Sequence, residues 1–267
     1  MTRKRILNVL RKEWAAMSSS LSNLLYVVLI PLLLTGQALL LIWLVSHFVS
    51  GEGVTEAMLQ AAPRSAADSL PSLPLVDQFR VLLLSQFNFF LLLVPAMIAN
   101  VFATLSIVEE KVTRTLEPLL ATPVRTWELL VGKALSGAIP ALLATWACAG
   151  IFVGCAVGLG WSDLLGFVIG PSWYLALLLL TPAVAVMSFV LGVIGSSRAS
   201  DPKSAQGIAV VIVLPIFALI GVQVTGLVWF TPILTLILAL GIWAIDLLLV
   251  YVAVKLFQRE SIVIRWR

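Results

Sequence analysis

A few residues in this chain are of types that can do chemistry. Glu109 and Glu110, with Arg114 four residues after the second, set two carboxylates beside a guanidinium. Carboxylates can serve as general acids or bases, and histidine is the commonest side chain in such chemistry. The single histidine, His47, precedes all of them, so that chemistry lacks its partners and His47 reads as an interfacial polar residue. Asp246 stands alone in a long apolar stretch. A carboxyl there binds a cation, relays a proton, or packs as a hydrogen-bonded group inside a bundle. Gln86, Asn88, Asn100 and Gln223 are softer candidates, either lining a polar pathway or bonding between helices. Cys148 and Cys155 are seven residues apart. On one helix that is about 10 Å, too far for a disulfide, so they read as small packing residues. No residue pattern has the spacing of a metal site.

The elements that position these residues follow from composition. Of 267 residues, 61% are hydrophobic and only 11% charged, against about 25% charged in a soluble domain. The charges are clustered, leaving uncharged windows at 14–51, 81–108, 134–162, 164–197 and 204–245. Each exceeds the roughly 20 residues needed to cross hydrocarbon as a helix. The last holds two spans around a punctuated stretch, Gly226 to Pro232. Solid apolar runs such as Leu177 to Leu180 exclude the alternation of a barrel strand. The reading is an all-α polytopic membrane protein, one transmembrane domain over 1–267, with six transmembrane helices near 22–46, 81–108, 134–158, 172–196, 207–226 and 232–256.

Lysine and arginine placement orients the bundle. With both termini inside, fifteen of the seventeen fall in cytoplasmic segments, and only Arg64 and Arg80 fall outside. The net charge of +4 therefore reads as topology in a cytoplasmic (inner) membrane, and no nucleic-acid partner follows from it.

Ahead of the first span, Ile6, Leu7, Leu10, Trp14 and Met17 recur at helical spacing opposite Arg3, Lys4, Arg5, Asn8, Arg11 and Lys12. This predicts an amphipathic helix over 3–17, flat on the cytoplasmic leaflet with Trp14 at headgroup depth. The apolar stretch after it is too long for a signal peptide. The one sizeable outer loop, 47–79, is too small for a domain. Between the second and third spans, segment 109–133 gathers four acidic and four basic residues. Leu116, Leu119 and Leu120 share a helical face, Thr122-Pro123 interrupts it, and a turn with Trp127, Leu130 and Val131 returns to the membrane. An apolar knob ringed by charge is a docking surface.

That segment resembles the permease subunits of ABC transporters of the type-2 exporter class, whose loop reads approximately E-x-K-x-x-x-T-L-E-x-L-L-x-T-P-x-x-x-x-E-L-L-x-G-K. The matching residues are Glu109, Lys111, Thr115, Leu116, Glu117, Leu119, Leu120, Thr122, Pro123, Glu128, Leu129, Leu130, Gly132 and Lys133, and the chain departs at Arg114, where glycine is usual. The resemblance implies that 109–133 is a cytoplasmic coupling helix seated in a groove of an ABC ATPase. It implies two such ATPase subunits per complex, a second permease copy in a homodimer, and ATP with Mg on the partner, with no cofactor in this chain. The sequence agrees in lacking a phosphate-binding loop: Gly132-Lys133 is followed by Ala134, and Trp127 stands where the first glycine would be. Two other readings remain beside it. The Glu109, Glu110, Arg114 pattern also resembles a family of intramembrane proteases, and an ion channel would need a ring of charges or a filter-like loop.

Overall fold

The computed structural model describes residues 2–19, 21–48, 73–112, 126–198, 213–222 and 231–256. Among them the regular elements are all helical. They are α1 (Thr2–Ser19), α2 (Leu21–Phe48), α3 (Leu75–Val112), α4 (Thr126–Gly158) and α5 (Ser162–Val168). Helix α6 follows in three continuous pieces: Pro171–Leu175, a π-helical turn Ala176–Leu180, and Thr181–Arg198. Two more complete the set, α7 (Val213–Val222) and α8 (Pro232–Leu256).

Five helices are long and apolar enough to span a bilayer, at Val27–Val45, Val76–Ala103, Trp127–Gly158, Pro171–Ser196 and Pro232–Lys255. They coincide with five of the six expected spans. Of the remaining one, 207–226, the described part is the short helix α7. Helix α3 exceeds the bilayer. It has 38 residues, about 57 Å at 1.5 Å per residue against a hydrocarbon core of about 30 Å. Its ends therefore carry charge beyond the apolar layer. At its N-terminal end Arg80 donates to Asp77 at 2.8 Å and lies over the Trp161 ring.

The core is built on α3 and α6, which make the most extensive helix contact and run in the same direction. Gly192 permits this: a Cβ there would lie 2.7 Å from the Ala103 Cβ and 2.8 Å from the Asn100 Oδ1. Without a hydrophobic drive between helices in lipid, such small-residue approach is what holds spans together. Helix α4 closes one side, with Phe152 stacked on Phe87 at 3.8 Å between ring centroids. Helix α2 packs on both α3 and α4, and α5 with Trp161 and Trp173 covers the N-terminal end of α3. Helix α8 packs by one narrow face, Thr235, Ala239, Asp246 and Ala253, mainly on α6; Ile233, Ile237, Leu247 and Leu248 point outward.

Candidate functional site

The root of segment 109–133 is where charge and packing meet. Helix α4 begins at Thr126, so Trp127 to Lys133 continues the third span rather than forming a separate turn. The charged residues in this extension are buried: Glu128 is 2% exposed and Lys133 1%. Helix α1 covers them. Arg5 Nη1 lies 3.5 Å from Glu128 Oε2, Lys133 Nζ lies 3.4 Å from Glu13 Oε1, and the Trp14 indole donates to the Ser136 carbonyl at 3.1 Å. Gly132 lets the two backbones approach, since a Cβ there would sit 2.9 Å from both Cβ and Cγ1 of Val9.

Helix α1 is thus docked on α4 through Arg5, Ile6, Val9 and Glu13, with Leu10 buried, while Leu7 and Trp14 keep exposed apolar surface. The amphipathic pattern locates the helix but not this partner. One signal of it is present: Glu13 is the single acid among the basic residues of α1.

Glu109, Glu110 and Lys111 lie in the last turns of α3, with side chains outside the described residues. Arg114, Thr115, Leu116, Glu117, Leu119, Leu120 and Pro123 lie outside the described residues altogether. Of the expected coupling residues, the structure therefore brings together Glu128, Gly132 and Lys133, at the α1–α4 contact.

The intramembrane polar residues are dispersed. Gln86 on α3 has a buried Oε1 with no hydrogen-bond partner among the described residues. Asn100 is buried where α3 meets Gly192 of α6. Asp246 is 2% exposed, and neither carboxylate oxygen has a hydrogen-bond partner among the described residues. The Asn88 side chain and Gln223 lie outside the described residues. An open apolar groove of about 440 Å³ runs between α2 and α4, lined by Gly36, Leu39, Leu40, Trp43, Cys155 and Gly158. An enclosed apolar cavity of about 40 Å³ lies between α3, α6, α7 and α8. Of the expected pathway residues whose side chains are described, Gln86, Asn100 and Asp246, none lines either space. Among the described residues no His, Cys, Asp and Glu group is arranged to hold a metal.

Sequence reading misses the π-turn of α6. Its cause is Pro182, which has no N–H and whose ring crowds the carbonyl four residues back. The Thr181 N–H reaches Ala176 O, one residue beyond its α-helical acceptor. Leu177 O then accepts from Thr181 Oγ1 and from the Trp146 indole of α4 at 3.2 Å, and Leu179 O accepts from the Trp243 indole of α8 at 3.3 Å.

Comparison with known proteins adds one finding. A family model described as ABC-2 family transporter protein matches residues 7–236, from α1 into α8 and across the whole of 109–133. No curated protein and no solved structure matches the chain.

Proposed function

The chain belongs to the ABC-2 family of transporter proteins and is the membrane permease component of an ABC transporter; on that premise we propose that it is one half of an ATP-driven exporter. Two copies form the translocation unit, and each holds one cytoplasmic ABC ATPase through segment 109–133. ATP and Mg bind on those partners, and the chain contributes no catalytic group. The complex sits in the cytoplasmic (inner) membrane with both permease termini on the ATPase side, as the lysine and arginine distribution favours.

The observation that carries this reading is the α1–α4 contact. Lys133 and Glu128, at the membrane root of the docking segment, are buried and ion-paired to Glu13 and Arg5 of α1. A displacement of 109–133 is then delivered to α4 and α1 together, because parting them strands buried charge. ATP-driven closure of the ATPase pair would favour one arrangement of the bundle over another by differential binding to the two states. Access to the pathway, for which Asp246, Asn100, Gln86 and Asn88 are the polar candidates, would switch with it.

A photo-crosslinking amino acid placed at Leu119 or Leu120 tests the docking. It should capture the ATPase subunit, whereas the same group at Leu143, on the exposed apolar face of α4, should not. Equal capture, or none from either site, removes the docking role of the segment.

A further inference from the structure

The π-turn in α6 is held by donors from outside its own helix. Trp146 of α4 caps Leu177 O, which the Thr181 N–H leaves for Ala176 O and Pro182 has no N–H to meet, and Trp243 of α8 donates to Leu179 O in the same turn. In lipid a released carbonyl must be met by some donor, since no water is there to replace it. The two indoles therefore fix how the first part of α6 stands against the second. Beside the turn is the enclosed cavity of about 40 Å³, with Leu180 and Val184 of α6 and Ile242 of α8 in its wall. Close-packed interiors resist rearrangement, and here there is free volume on one side of the turn.

Asp246 shares the buried face of α8 with Ala239 and Ala253. Helices α6 and α8 run in register, with Trp243 against Leu179, Ala239 clustered with Ala176 and Leu180, and Ala253 clustered with Phe189 and Val190. Asp246 lies one turn along α8 from Trp243, at the depth of Thr181 to Ala185. Elsewhere α8 is held by apolar packing, its buried small residues Thr235, Ala239 and Ala253 flanked by half-buried Leu238, Ile242 and Val250, so this indole adds a directional tie to the seam.

We propose that the π-turn is a pivot of α6 and that the Trp243 indole on Leu179 O is the latch that keeps the α6–α8 seam shut over Asp246. Release of the indole lets α8 lift at this depth, and the seam then admits water to the buried carboxyl. This goes beyond the coupling reading and does not depend on it, since no residue of the pivot lies in 109–133.

Two measurements on the full chain in lipid nanodiscs decide it. The first is amide hydrogen exchange between Ala176 and Val184. Trp243→Phe, which keeps the ring and removes the N–H, should speed exchange about three- to tenfold, the worth of one interhelical hydrogen bond. Pro182→Ala, which restores an N–H, should slow it. Trp127→Phe, at an exposed indole outside the seam, should change nothing. The second is the reactivity of Asp246→Cys toward a charged thiol reagent, with Cys148 and Cys155 replaced by alanine. It should rise by a similar factor when Trp243→Phe is added. Exchange that is the same in Trp243→Phe and Trp127→Phe overturns the latch, and exchange unmoved by Pro182→Ala overturns the pivot. Labelling that rises without faster exchange puts the opening elsewhere and also overturns it. Should Asp246→Cys not assemble, the exchange data alone decide.

Discussion

Lys133 lies 3.4 Å from the carboxylate of Glu13, and the lysine side chain is almost wholly enclosed. The contact joins residues 120 positions apart, one in the N-terminal helix and one at the root of the docking segment. Removing one partner of a buried pair is far more damaging than removing both, because the survivor keeps its desolvation cost. Glu13→Gln should therefore lower stability by about 3 kcal/mol, read as thermal unfolding in nanodiscs, and Lys133→Met combined with it should recover much of the loss. Additive effects in the double variant would show that the pair is not coupled.

Gly132 provides a steric test of the same contact. Gly132→Ala sets a methyl against Val9, at a separation of only 2.9 Å before either helix shifts, and overpacking of this kind costs about 1–3 kcal/mol. Helix α1 should become more accessible to protease in that variant. Val9→Gly, which removes both the Cβ and the Cγ1 that the new methyl meets, should restore protection. If Gly132→Ala leaves α1 protected, the close approach does not hold the helix.

Gly192 should be less forgiving, because its neighbours are Ala103 and Asn100 of the central α3. Neither backbone can retreat without parting α3 from α6. Gly192→Leu should yield little monodisperse protein by size-exclusion chromatography, while Gly150→Leu, where a Cβ meets nothing within 4 Å, should behave as wild type. Equal yields would remove Gly192 from the packing account.

Topology makes a parity prediction. The six spans expected from the sequence would put both termini on one side, and single cysteines at positions 3 and 262 should then be labelled only from the cytoplasmic face and one at position 66 only from outside. The background lacks Cys148 and Cys155. Termini on opposite faces would mean an odd number of spans.

The fold is legible where physics leaves few choices. Uncharged windows longer than a bilayer crossing must become helices, and α2, α3, α4, α6 and α8 all fall where those windows lie. The charge-rich segment likewise stands out by pattern, and the family match covers it. What cannot be read is which side chains meet across sequence. By pattern alone Glu128 and Lys133 are solvent-facing members of a docking loop, yet α1 buries them. Periodicity places a residue on a face without saying what the face meets. Likewise Thr181-Pro182 after four leucines marks a weak point in a helix, but only the fold shows that indoles from Trp146 and Trp243 cover it. Asp246 is an anomaly in the sequence itself, whereas its lack of a hydrogen-bond partner among the described residues is a property of the packing around it.

The most direct test of the central claim is co-purification of the permease with its ATPase subunit, comparing wild type with Glu117→Arg combined with Leu119→Asp. Wild type should retain the ATPase, and the double variant should lose it while still inserting and assembling with its second copy. Retention that is indifferent to these substitutions, or no ATPase bound to either protein, would contradict the coupling role of segment 109–133.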